Sequence, residues 1–206
     1  MTRPLHPVLV LPDTAGALDW FGAFPGFVVD RARSEAVCGD LCIAIRGPDD
    51  RVPGLRAIAF DHLALRVGDV DATLEALIVG GAVLHPGFTP DGPKEIAAFW
   101  ETGVRYAFVV GPGGAPVELC ARRGSGGEGG VAGLDHLGLR CNDSGALAAT
   151  LVASGAVEVA RYLLPGAERP VDVRFLQDGH LCWEVFDEDP LPPSGVMQTA
   201  VWAGVA

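Results

Sequence analysis

The phrase "DHLALRV" (Asp61 to Val67) returns as "DHLGLRC" (Asp135 to Cys141), with a histidine in the same slot each time. The match continues without a gap. "DHLALRVGDVDATLEALIVGGAV" (61–83) lies over "DHLGLRCNDSGALAATLVASGAV" (135–157), a shift of 74 residues (62 to 136) that places His62 on His136, Asp69 on Asp143 and Gly81 on Gly155. A fixed offset of this kind means one supersecondary unit used more than once, so the fold has to be assembled from copies of it.

Each copy opens with alternating residues, "HLALRV" or "HLGLRC", the period of a strand with one buried face. A helix is expected next. Asp69 and Asp143 are placed as N-caps, Val70, Leu74, Leu77 and Ile78 have helical spacing, and Gly81 or Gly155 supplies a left-handed C-terminal residue. Apolar runs separated by turns follow: "VRYAFVV", "GPGG" and "PVELCAR" in the first copy, "VDVRFLQ", "DGH" and "LCWEVFD" in the second, both hairpin signals. The unit therefore reads as strand, helix and about three strands.

A weaker third copy lies 56 residues toward the N-terminus (6 to 62), where "LHPVLVLPDTAGALDWFGAFPGFVV" sets His6 under His62 and Asp13 under Asp69. Its closing strand is expected at "LCIAIRG", with Leu41 where the later copies carry an acid. "GPDDRVPG" (47–54) and "RGSGGEGG" (123–130) have linker composition. The expected organisation is a degenerate N-terminal module over 1–56, modules over 57–124 and 131–189, and a tail over 190–206.

Both full copies end on an acid in an otherwise apolar strand: Glu118 in "APVELCA" and Glu184 in "LCWEVFD", each five residues after a turn glycine, Gly113 or Gly179. A carboxylate on a half-buried strand is costly unless paired or metal-bound. If the first and last strands of a unit are neighbours, each His can meet its Glu on the concave face, and pairing two units brings two His and two Glu together. That mixed nitrogen and oxygen set suits Fe, Ni, Co, Mn or Zn and leaves coordination positions open. His6 lacks a matching acid, and His85 and His180 read as loop residues.

Composition narrows the partners. A net charge of −11 and a pI near 4.7 disfavour nucleic acid. No apolar run reaches the roughly 18 residues of a membrane span, and no secretory segment opens the chain, so a cytoplasmic protein without membrane partners is expected. Five cysteines without a CxxC pair read as reduced, buried thiols.

The two "DHL" openings, the closures "GPGGAPVEL" and "QDGHLCWEVFD", and the helix end "DWFGAFPGF" resemble the vicinal oxygen chelate superfamily, which includes glyoxalase I, methylmalonyl-CoA epimerase, extradiol dioxygenases and bleomycin-resistance proteins. The resemblance implies an α+β fold: repeated βαβββ modules forming a curved mixed sheet with helices on the outer face. It implies one divalent metal held by His62, Glu118, His136 and Glu184, a donor quartet more like the glyoxalase and epimerase members than the dioxygenases with two His and one Glu. It leaves open whether one chain or two supply the quartet; a homodimer is expected.

The expected chemistry is proton abstraction next to a carbonyl in a small substrate with vicinal oxygens, by an isomerase, epimerase or lyase. Glu184 or Glu118 is the catalytic base, with Glu184 preferred because Trp183 and Phe186 offer an apolar neighbourhood that raises its basicity. An Fe(II) ring-cleaving or other oxygenase is one alternative. A non-catalytic drug or natural-product binding (resistance) protein is another. Candidate substrate-binding aromatics are Phe88, Trp100, Tyr106, Tyr162 and Trp183, the pocket being walled by irregular segments at 85–100 and 160–172.

Overall fold

The computed structural model describes residues 7–24, 26–50, 55–57, 60–124, 130–166, 168–187 and 201–203. His6 lies outside them, as do parts of both linkers and most of the tail. The chain begins β1 (Val8–Val10), α1 (Thr14–Gly22), β2 (Val28–Asp30), β3 (Glu35–Cys38) and β4 (Leu41–Arg46), which form a four-stranded sheet in the order β1-β4-β3-β2. A short strand β5 (Leu55–Ala57) pairs antiparallel with β14 (Val201–Ala203), so the C-terminal stretch, which has no readable period, returns to the molecule as a strand.

The central sheet has eight strands. β6 (Phe60–Val67), α2 (Val70–Val79), β7 (Lys94–Ile96), β8 (Val104–Val110) and β9 (Pro116–Arg122) make one half; β10 (Val131–Arg140), α3 (Ser144–Ala153), β11 (Val157–Leu164), β12 (Val171–Asp178) and β13 (Leu181–Phe186) make the other. The order is β11-β12-β13-β10-β6-β9-β8-β7, curved and mixed, with β6 and β10 antiparallel at the centre. Within each half the first and last strands pair in parallel, β6 with β9 and β10 with β13. This is the α+β glyoxalase-like architecture.

The helices start where the aspartates dictate. Asp69 accepts from Ala72 N, Asp143 from Ala146 N and Asp13 from Gly16 N, satisfying amides that have no partner inside the helix. Gly81 and Gly155 hold φ of 95° and 112°, a left-handed backbone that a side chain would strain. Leu74 and Leu77 of α2 join Leu63, Leu65, Leu119, Leu137 and Val185 in a core that fills the space between helices and sheet.

β6 differs from the one-faced strand its alternation suggests: seven of its eight residues are buried. It lies at the middle of the sheet, so its second face is covered too, by the side chains of a cavity. The stretch 160–164 is also not irregular; it belongs to β11.

Candidate metal centre

The registers of three strand pairs decide which side chains meet. Across the antiparallel β6–β10 pair, His62 faces Gly138 and His136 faces Ala64. Across the parallel pairs, Ala64 faces Glu118 and Gly138 faces Glu184. Two neighbouring rows result, Glu118–Ala64–His136 and His62–Gly138–Glu184, each with a small residue at its centre. A Cβ on Gly138 would sit 2.3 Å from the His62 ring, so the glycine is what allows that ring to lie over β10.

The four functional atoms converge. His62 Nε2 and His136 Nε2 are 3.0 Å apart. Glu118 Oε2 lies 3.2 Å from each of them, and Glu184 Oε2 lies 3.3 Å and 3.4 Å away. All four residues are buried. They belong to one chain, so no second copy is needed to bring them together.

Each imidazole is held from behind. His62 Nδ1 meets Asp61 Oδ1 at 2.8 Å, and His136 Nδ1 meets Asp135 Oδ1 at the same distance. Arg140, from the other half of the sheet, donates through Nε to Asp61 Oδ2 at 2.8 Å. A carboxylate on Nδ1 fixes the tautomer that presents Nε2 as a lone pair toward the centre.

The field of the site calls for a cation. Burial opposes charge on both rings. Even so, Asp61 with Glu118 and Glu184 drives the His62 pKa well above its ordinary value, and Glu184 with Glu118 and Asp135 does the same to His136. Burial alone would raise the Glu184 carboxyl, yet His136 and His62 hold it well below the usual carboxylate range. Two imidazoles and two carboxylates with their donor atoms pooled suit a divalent ion, which would supply the positive charge the protons otherwise bring. His62, Glu118 and His136 each place a donor atom within 4.8 Å of the others.

Above the donors opens a cavity of about 300 Å³. Of the aromatic residues singled out in the sequence, Phe88, Trp100 and Tyr106 line it. Tyr162 stands behind the wall, where its hydroxyl accepts from Trp100 N at 2.7 Å, and its ring packs on Phe99. Trp100 itself adopts φ 54°, an uncommon backbone for a bulky residue, and its ring lies 3.9 Å from the Arg122 guanidinium.

Trp183 is a correction. Side chains alternate along β13, so Glu184 and Phe186 face the cavity while Trp183 is buried in the core on the helix side. The expected apolar neighbourhood of Glu184 is thus Phe186 without Trp183, and its carboxyl is more acidic than usual rather than more basic. Leu41 is corrected similarly: the residue of β4 in the glutamate register is Ala44, which faces Val8. His85 is half-buried, its Nδ1 accepting from Gly87 N, and His180 is exposed in the β12–β13 turn.

Sequence reasoning missed Phe99, Phe108, Phe175 and Arg140, all of which line the cavity. It also missed the work of Asp61 and Asp135, although the repeated "DH" was a signal for them. Cys120 lines the cavity too, but burial pushes its thiol well up, which keeps it protonated.

An eight-stranded curved sheet with its helices outside is a glyoxalase-like fold. Among solved structures, glyoxalase I from Zea mays resembles the chain with a TM-score of 0.62 at 16% identity, over 98% of this chain and 73% of the other. A variant of the same maize enzyme gives 0.65 at 17% identity over the same shares. A mutant of 4-hydroxymandelate synthase from Streptomyces coelicolor gives 0.53 at 15% identity, covering 91% and 70%. At these identities the likeness is one of fold. No protein-family model matches the sequence, and neither does any curated protein. Among the described residues no helix is long and apolar enough to cross a membrane.

Proposed function

We propose that the protein is a metal-dependent enzyme that takes one divalent cation on His62, Glu118, His136 and Glu184. On this reading it acts on a small substrate with two adjacent oxygens, as an isomerase, epimerase or lyase that moves a proton next to a carbonyl. The observation that carries the reading is that two histidine nitrogens from two repeated halves lie 3.0 Å apart with a glutamate oxygen of each half 3.2 to 3.4 Å from both. A bound Fe, Ni, Co, Mn or Zn ion would supply Lewis-acid stabilisation of negative charge on the substrate oxygens.

The chain's own residues supply the rest. Asp61 and Asp135 keep each Nε2 aimed at the centre. The donor side chains are between 4% and 11% exposed, and that burial strengthens the electrostatic contacts at the floor. A carboxylate oxygen at the floor takes the substrate proton and returns it. Glu184 is the proposed base once the incoming substrate releases it from the ion, since its side chain is the slightly more open of the two, 11% exposed against 8% for Glu118. The proposed homodimer adds no ligand to this centre, and sedimentation reads it independently.

The test is deuterium exchange from solvent into a set of small α-hydroxyketones, followed by NMR with the metal-loaded protein. The reading expects exchange that stops on metal removal and falls at least about a hundredfold in Glu184→Gln, the span a positioned base contributes. Oxygen consumption with Fe(II) in place of exchange would assign an oxygenase. Tight, metal-independent binding without turnover would assign a sequestering protein.

A further inference from the structure

We propose that the cavity is built for an uncharged substrate in which an aromatic ring is attached to the carbon chain that bears the two adjacent oxygens. This rests on the metal-enzyme reading and names the substrate class for the same site.

Phe108 and Phe175 occupy equivalent places in the two halves. Each lies opposite its own half's glutamate in the hairpin, Phe108 against Glu118 and Phe175 against Glu184. Each also meets its own half's histidine edge to face, at 5.2 Å for His62 and 5.6 Å for His136. β8 and β12 are on opposite arms of the curved sheet, so the two rings flank the donor centre. A second aromatic backs each one: Phe88 stacks on Phe108 at 4.4 Å and 20°, and Trp100 lies 5.1 Å from Phe175. The same arms add Val104, Val171, Val173 and Leu164 to the lining. Aromatic surfaces in such pairs favour a ring over an aliphatic group of equal area, by roughly two- to tenfold per contact.

Charge excludes an anionic tail. Among the described lining residues Arg140 is the one Lys or Arg, and its guanidinium is engaged by Asp61 and lies 5.1 Å from the Phe186 ring. The lining acids are Asp61, Asp135, Glu118 and Glu184. With a divalent ion and Arg140 counted, the formal charge is still −1 (2 + 1 − 4), which opposes a carboxylate or phosphate. A volume of about 300 Å³ is at the small end of ligand pockets, fitting one ring and its chelating head.

The probes are three hydroxamates with one chelating head: benzohydroxamate, acetohydroxamate and 4-carboxybenzohydroxamate, titrated calorimetrically into protein of measured metal content. Benzohydroxamate is expected to bind at least about tenfold tighter than either of the others. In Phe175→Leu and in its mirror Phe108→Leu that preference shrinks below about threefold at unchanged metal content. Acetohydroxamate or the carboxylated probe binding within threefold of benzohydroxamate to the wild-type protein would overturn the assignment. Metal-loaded protein that binds none of the three would instead overturn the metal-enzyme reading beneath it.

Discussion

The four-stranded sheet β1-β4-β3-β2 and either half of the eight-stranded sheet run through the same order of strand, helix and strands, with the first and last strands paired in parallel. They differ at the positions that make a donor centre. Where Ala64 faces Glu118 and Gly138 faces Glu184, the N-terminal sheet has Val8 facing Ala44. The carboxylate is missing, and the small residue that would let a histidine ring lie across is a β-branched valine. Position also counts: β1 is an edge strand, whereas β6 and β10 lie side by side and bring two imidazoles within 3.0 Å. The connectivity therefore supplies a scaffold, and a metal centre additionally needs an acid, a small neighbour and a second copy paired strand to strand.

The largest effect that would sharpen this contrast is expected from His136→Ala, which removes a donor and leaves two buried carboxylates short of positive charge. Metal affinity should fall by more than the 10- to 100-fold typical of losing an outer partner, read by competition with a chromophoric chelator. Gly138→Ala comes next, because its Cβ would lie 2.3 Å from the His62 ring and the ring must leave. Affinity should drop by about 100-fold, whereas Ala64→Gly, its counterpart in the other half, changes it little. Asp61→Asn and Asp135→Asn keep the shape but weaken the grip on Nδ1, and each should cost about 10-fold in affinity.

Protons compete with the ion for the same nitrogens. Both histidine pKa values are raised well above 6.5 in the metal-free chain, so affinity should climb with pH from below 6.5 upward until those values are passed, by up to about tenfold per unit for each proton released. Stability of the metal-free protein takes the opposite sign. A raised folded-state histidine pKa contributes fully below the unfolded value and is lost as pH rises through the folded one, so its Tm should fall on going alkaline. Glu184, lowered from 4.5, contributes above its unfolded value and is lost as pH falls through its folded one. Thermal melts with and without metal check both signs, the histidine one between about pH 6 and 9 and the Glu184 one below about pH 4.5. The smallest change in metal content is expected from Ala44→Glu, which places an acid in the N-terminal sheet's equivalent slot. It should bind no additional ion and should lose about 1–3 kcal/mol of stability to a buried, unpaired carboxyl, by chemical denaturation.

Much of this was legible in the repeat. A shift of 74 residues aligned His62 with His136, and counting five residues from a turn glycine found Glu118 and Glu184. The same count from Gly39 reaches Ala44, whereas the strand opening at Leu41 drew attention to the wrong residue. The helix caps were readable because capping is local. Phe108 and Phe175 were not, since their importance comes from hairpin register, and the two hairpin turns differ in length. Arg140 escaped because its partner Asp61 lies on a different strand of the other half. Trp183 was misplaced although adjacency to Glu184 on a strand already implies the opposite face. The distinct fates of Ala64 and Gly138, which fill the same slot of the two matching phrases, need the β6–β10 register to be understood.

The central claim is that one ion sits among these four side chains, and elemental analysis of metal-equilibrated protein tests it most directly. The account expects one divalent ion per chain in the wild-type protein and in Ala44→Glu, and close to none in His62→Ala/His136→Ala that remains folded by circular dichroism. A folded double variant that still carries one ion per chain, or a wild-type protein that binds none, would contradict it.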